Sequence, residues 1–419
     1  MSTGMSADGG AAPALDLGFV RAQFPAFDEG GDPVVFMENA GGSYAARATV
    51  KRLTDFYTRT KVQPYGPYAS SRAAGQAMDE ARARLAAMMG VEADEVLIGP
   101  STTQNAYVLA KAFGEMLVPG DEIVVTDQDH EANSGAWRRL EREGVVVREW
   151  QVDPETGHLD PSALRALLTE RTKLVAFPHA SNIVAEINPV AEIAAIAHEA
   201  GAVAVVDGVS AAPHGLPDIP ALGADIYLFS AYKTYGPHQG VMVVRRAMNA
   251  RLPNQGHHFN DANPEKRLVP AGPDHAQIAA MGGVADYVEA LHAHHFGAGE
   301  NDPAARSRAV AGLMRAQEKR LTARLMAYLE DRTDIRILGP TDPQRRASTV
   351  AIHHARPGGE LAEALAAHGI GAGGGSFYAA RVVQAMGVDP DHGVLRLSFL
   401  HYTSEDEIDH TIAALDAVL

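Results

Sequence analysis

The chain has 419 residues, of which 46% are hydrophobic and 21% charged, a composition that excludes global disorder and leaves room for about two to three domains by length. Its formal net charge of −16, from 36 basic and 52 acidic residues, argues against a nucleic-acid or anionic-membrane partner. Cysteine is absent, so disulfides, thiolate metal sites and a cysteine nucleophile are excluded.

Residues 1–15 are mostly small, with no basic flank or apolar stretch of the secretory kind. They read as a flexible arm, and a cytoplasmic protein is the expectation. LGFVRAQFPAF (17–27) reads as a short amphipathic helix ending at a proline, and VVFMENAGGS (34–43) as a strand breaking into a glycine turn. A long helical pattern covers 70–90, with Gly90 as its stop.

Apolar runs then alternate with helical segments. EVLIG (95–99) precedes a helix from Thr102, and EIVVT (122–126) a helix over 133–142. VVVREW (145–150) is followed by a helix over 161–170, and KLVAFPH (173–179) by a helix over 190–199. AVAVVDG (202–208), DIYLFS (225–230) and GVMVVR (240–245) complete the series. This alternation predicts an α/β fold with a mostly parallel sheet, whose binding site lies at the carboxyl ends of the strands.

Near residue 285 the pattern changes. Helix dominates 303–330 and returns over 364–371 with a glycine stop, and short strands appear at 348–354 and 393–401. The PGG and GAGGGS stretches read as loops. The expected organisation is an arm (1–15), a segment packing with the smaller domain (16–33), a large domain (34–285) and a small α+β domain (286–419).

Five strand ends carry candidate chemistry. Lys233 sits in a short polar turn between two apolar strands, with no carboxylate nearby in sequence. Desolvated there, it would be a nucleophile toward an aldehyde; the alternative is a solvated loop lysine. Asp207 ends a buried-looking strand, where it meets a ligand or caps a turn. Ser101, Thr102 and Thr103 open a helix after a strand, which suits a phosphate but equally suits capping. His130 and Asn182 follow two further strand ends, and each also has a structural reading.

This ordered set resembles the fold-type-I pyridoxal-phosphate enzymes, in particular the class V aminotransferase and cysteine desulfurase-like family. The likeness runs from about Val20 to Leu419 and is carried most specifically by ENAGGS and by VDGVSAAPHGLPDIPALGADIYLFSAYKTYGP. It implies a seven-stranded large domain, a smaller α+β domain, pyridoxal 5′-phosphate as cofactor, an amino acid substrate and a homodimer. It further implies that Lys233 forms the internal aldimine and that Asp207 pairs with the pyridinium nitrogen. His130 would stack on the ring, and Asn182 would lie near its hydroxyl. Thr102, Thr103 and Ser230 would hold the phosphate, with Ser210 and Tyr232 also at the cofactor. Arg396 would grip the substrate carboxylate, with Asn39 and Tyr378 near it.

The departures from the family pattern are equally specific. Tyr378 stands about where the desulfurases carry their cysteine, Tyr232 replaces a histidine and Ser210 a glutamine. Gly272-Pro273 replaces a Gly-Thr pair through which the partner subunit reaches the phosphate. A persulfide on the enzyme is therefore impossible. The expected chemistry is proton removal at Cα by Lys233, leading to elimination, with transamination or racemisation as alternatives. A non-catalytic, cofactor-binding relative is a further alternative. GIGAGGGS does not open a βαβ unit as a dinucleotide loop would. The histidines at 257, 258, 292, 294 and 295 lack metal-ligand spacing, so no metal is expected, although His257 and His258 are candidates for shaping the pocket.

Overall fold

A computed structural model describes residues 13–30, 33–270 and 272–419. Most of the arm expected over 1–15 thus lies outside the described residues. The first strand, β1 (Val35–Phe36), pairs in parallel with Ile370–Gly371. The central sheet has seven strands: β2 (Val96–Gly99), β3 (Glu122–Thr126), β4 (Val146–Trp150), β5 (Thr172–Pro178), β6 (Val203–Asp207), β7 (Ile226–Ser230) and β8 (Gly240–Val244). Their spatial order is β2-β8-β7-β6-β5-β3-β4. The pairs from β7 to β4 are parallel, whereas β8 runs antiparallel to both β7 and β2. Six strands therefore share one direction and one is reversed.

The near-continuous apolar runs follow from burial of both sheet faces. Val124, Val175, Val206, Phe229 and Val241 point into one core, while Val125, Ala176, Val205, Leu228 and Met242 point into the other. The helices found include Thr102–Gly114, Glu131–Arg138, Pro161–Leu167 and Val190–Glu199.

The C-terminal region builds a four-stranded antiparallel sheet in the order Gly373–Gly375, Val394–Ser398, Thr349–His354, Ile335–Leu338. The 28-residue helix Pro303–Glu330 packs on it through Leu321, Leu325 and Leu329, four residues apart on one face. The whole is an α/β fold with a mostly parallel large sheet and a smaller α+β region. Among the described residues no helix is long and apolar enough to cross a membrane.

Several local expectations are corrected. GAGGGS is not all loop: Gly373–Gly375 is an edge strand, where a Cβ on Gly374 would lie 2.2 Å from the Gly358 backbone. Residues 364–371 end a helix, Gly358–Ala366, and then turn at Gly369 into the strand paired with β1. The 17–27 segment splits into an α-helix, Leu17–Arg21, and a 3₁₀ turn opened by Pro25. Helices Arg47–Arg59, His275–Ala280 and Gly282–Phe296 were not anticipated, and the last spans residue 285. The histidines at 294 and 295 hold the N-terminal segment: both bond Asp16, and His294 stacks on Phe19 with ring centroids 3.8 Å apart.

Phe24 seals that segment. Fully buried, it meets Tyr235, Tyr287 and Tyr402 edge-on at 5.9, 5.1 and 4.9 Å. Truncation would leave a cavity among rings that hold one another in place. Phe24→Ala should lower unfolding stability by about 3–5 kcal/mol, read as a lower denaturant midpoint with unchanged slope.

Candidate active site

At the carboxyl edge of the central sheet lies a cavity of about 180 Å³. Its lining includes Thr102, Thr103, His130, Asn182, Asp207, Ser210, Ser230, Tyr232 and Lys233, so the sheet gathers all nine expected cofactor residues.

Each arrives by its own local device. β7 ends at Ser230, and a 3₁₀ turn, Ala231–Lys233, swings the lysine over the edge. Asp207 ends β6 and accepts a hydrogen bond from the Val209 amide at 2.8 Å. Ser101 caps the helix that follows β2, accepting from the Gln104 amide, which frees Thr102 and Thr103 to face the cavity. The amides of these first helical residues have no intrahelical acceptor. The Thr102 and Ser230 hydroxyls lie 2.8 Å apart. Reversed strand β8 approaches this helix start closely: a Cβ on Gly240 would sit 2.4 Å from the Thr102 nitrogen, so only glycine fits.

His130 caps the helix Glu131–Arg138, its Nδ1 accepting from the Ala132 amide at 3.0 Å. That bond assigns the neutral tautomer with hydrogen on Nε2. Burial, with lesser contributions from Lys233 and Arg396, pulls its pKa down to about 4. Asn182 donates Nδ2 to the Phe377 carbonyl at 3.0 Å, while its buried Oδ1 has no partner.

Lys233 is 9% exposed and makes no hydrogen bond or ion pair among the described residues. Burial first, and then the Arg396 cation, lower its pKa to about 8, against the opposing pull of Asp207 and Glu38. Burial pushes the Asp207 carboxyl above the ordinary carboxylate range, and Asp129 beside it is pushed up by burial and by Asp207.

The expected substrate residues lie outside the cavity wall. Arg396 is buried, with one nitrogen 3.3 Å from the Asn182 carbonyl, another 3.8 Å from Glu38, and Nε unpartnered. The Phe377 ring lies flat over it, 3.7 Å from Cζ. Tyr378, 79% exposed, brings its ring to 5.6 Å from His130. Phe377 and Tyr378 both have positive φ, 51° and 56°. Asn39 is fully engaged elsewhere, donating to the Phe36 and Ser398 carbonyls and accepting from Tyr402. His257 lines a different cavity with Tyr65 and Phe259, and His258 lines neither.

Sequence reasoning missed Asp129 and His238, which both line the cavity. His238 stacks on Tyr232 with centroids 4.7 Å apart and rings 8° from parallel. It precedes β8, and a reversed strand brings its amino end to the edge where the others end. The signal was the nine-residue connection over 231–239, shorter than the dozen or so residues a crossover to a parallel strand needs.

In cofactor-free protein, the neutral Lys233 amine should predominate above about pH 8, as the lowered value requires. Labelling of Lys233 by an amine-reactive reagent, followed by mass spectrometry, should show a midpoint there. Arg396→Gln removes a repelling cation and should raise the midpoint.

The aminotransferase class-V family profile matches residues 35–411. The chain is similar to the Aminotransferase-like protein FGM3 of Gibberella zeae, with 35% identity over 414 residues covering 96% of this chain and 98% of that one. It is 30% identical to a cysteine desulfurase of Dickeya dadantii, covering 95% of this chain and 96% of the relative. Among solved structures, an apo cysteine desulfurase from Thermococcus onnurineus superposes with a TM-score of 0.84 at 23% identity, over 97% of this chain and 99% of the other. The cysteine desulfurase CsdA of Escherichia coli gives 0.79 at 22% identity, over 97% and 98%. The chain therefore belongs to the class V aminotransferase family and is an enzyme that depends on pyridoxal 5′-phosphate.

Proposed function

We propose that this enzyme acts on a small amino acid by an elimination in which no cysteine carries an intermediate. The observation that carries the reading is the buried, unpaired amine of Lys233 in one cavity with Asp207. An ammonium could find water on the surface. Here burial and the Arg396 cation disfavour the ammonium, and no hydrogen-bond or ion-pair partner among the described residues restores it, which suits an amine kept for a carbonyl.

The residues fit the cofactor. Thr102 and Thr103, with the Ser230 hydroxyl, suit a phosphate at the helix start. Asp207 would hold a protonated ring nitrogen, which offsets the cost of its own burial. The unpartnered Oδ1 of Asn182 awaits a donor, and His130 offers a flat neutral ring, its orientation locked by the Ala132 amide. Ser210 and Tyr232 complete the wall. When bound, pyridoxal phosphate supplies an electron sink for charge developing at the substrate Cα.

The protein groups divide the remaining work. Lys233 would take the Cα proton and hold it on Nζ, which a pKa near 8 permits at neutral pH. Arg396, buried beneath Phe377 outside the cavity wall, would attract the substrate carboxylate by its charge. Asn39, committed to backbone and Tyr402, would support this wall rather than touch substrate. Tyr378 would cover the entrance beside His130.

Support for elimination comes from the loop at 376–379. It offers a tyrosine and no thiol, and the chain has no cysteine elsewhere, so a leaving group at Cβ has no acceptor on the protein and would depart to solvent. The aminotransferase reading is favoured by one observation, the 35% identity to an aminotransferase-like protein. Product analysis separates them. Elimination yields a 2-oxo acid and ammonia with no added acceptor; transamination stops after one turnover until a second 2-oxo acid is supplied.

The protein with added pyridoxal phosphate should show a visible absorbance band that Lys233→Ala abolishes and that one amino acid in a panel shifts. A band that survives Lys233→Ala would sink this reading. We also propose a homodimer, since Tyr65, Tyr107 and Phe259 are exposed along two further cavities, one of which shares His238 with the site. A monomeric mass by light scattering would contradict it.

A further inference from the structure

One buried carboxylate has no part in the chemistry above. Glu318, on the helix Pro303–Glu330, is 3% exposed. Among the described residues no lysine or arginine pairs with it. Its partners are histidines: Oε2 lies 2.8 Å from His214 Nδ1, and Oε1 faces His401 Nδ1 at 3.7 Å without a hydrogen bond of its own. His401 Nε2 lies 2.6 Å from the Tyr287 hydroxyl, and its Nδ1 is 3.5 Å from the Tyr235 hydroxyl. Tyr235 donates to the Pro213 carbonyl, next to His214. Tyr402 also packs against this cluster, its ring 5.6 Å from that of His401.

Three of these side chains belong to the segments that carry the site. His214 lies in the turn that follows Asp207. Tyr235 is two residues beyond Lys233 and has a φ of +60°, a conformation a tyrosine adopts only when held. His401 follows the strand that bears Arg396. The three segments gather around a single carboxylate on a fourth element: His214 and His401 face it directly, and Tyr235 reaches it through His401.

A buried carboxylate adds little stability over a well-packed apolar replacement, because its desolvation is costly. Leaving one carboxylate oxygen unbonded makes this arrangement worse as a stabilising device. What the arrangement does supply is direction, since a carboxylate between two imidazoles fixes where each imidazole sits.

We infer that Glu318 is a positioning residue, whose carboxylate, acting through His214 and His401, sets the Asp207, Lys233 and Arg396 segments in register around one cavity. The inference rests on the site reading proposed above.

The test uses the full-length protein and pyridoxal phosphate itself. Glu318→Gln keeps shape and a hydrogen-bond acceptor for His214 but removes the charge. It should weaken pyridoxal phosphate binding about tenfold or more, the scale of a hydrogen bond to a charged group. It should also move the pH midpoint of the visible band by more than about half a unit, which is about 0.7 kcal/mol or more. Glu318→Asp, which keeps the charge, should recover part of both. An unchanged dissociation constant and midpoint, whatever happens to the melting temperature, would overturn the inference. If Glu318→Gln does not fold, His401→Gln decides: it can keep the Tyr287 contact while losing the nitrogen that faces Glu318. The same two shifts support the inference, and their absence overturns it. A band that persists in Lys233→Ala strikes the site reading and leaves the Glu318 measurements to be read on their own.

Discussion

The constraint on which this structure turns is a largely buried primary amine with no hydrogen-bond or ion-pair partner among the described residues. A lysine ammonium loses its hydration on burial, and the usual remedy is a carboxylate in contact. Here Asp207 acts on Lys233 only at a distance, while Arg396 opposes the charge. The sheet edge, the 3₁₀ turn after β7 and the packing of Tyr235 all hold the amine in that state. Asp207 and Asp129 carry a matching cost, as carboxyls raised by burial in the same place. A cavity that holds an unpaired amine beside a carboxyl raised by burial is complementary to a ligand that brings a carbonyl and a cationic nitrogen.

Much of this was legible in the sequence because parallel strands place their carboxyl ends on one edge. A rule that reads the residue after each apolar run therefore finds Thr102, His130, Asn182, Asp207 and Lys233, and the sheet gathers them. The rule fails where direction reverses. His238 precedes its strand, and nothing in local hydropathy reveals that β8 runs backward. Glu38, which faces Arg396, and Asp129, which accompanies Asp207, were also missed, because contacts across the fold leave no spacing to read. Asn39 shows the opposite error. Its motif is distinctive, yet its amide closes a backbone junction with Ser398. The run of glycines at 373–375 looked like a loop since glycine disfavours strands, but close backbone contact with Gly358 overrides that propensity.

The loop at 376–379 carries the plainest sign of selection for geometry over comfort. Two adjacent bulky residues, Phe377 and Tyr378, occupy left-handed backbone at a cost of about 1–3 kcal/mol each. Their carbonyls are tied down by the Asn182 side chain and the Glu131 amide. The result is an aromatic plate over the Arg396 guanidinium and a ring beside His130.

The reversed strand has a consequence for how the chain is made. β2 is an edge strand whose sole partner among the described residues is β8, some 140 residues further on. On a ribosome adding about 5–20 residues per second, that interval is roughly 7–30 s. Through it, the apolar segment Val96–Gly99 has no neighbour to close its backbone, a state in which strands are prone to pair with the wrong chain. The long amphipathic helix Ala69–Met88, made just before it, is the nearest local cover in sequence, and both share one apolar core in the folded protein.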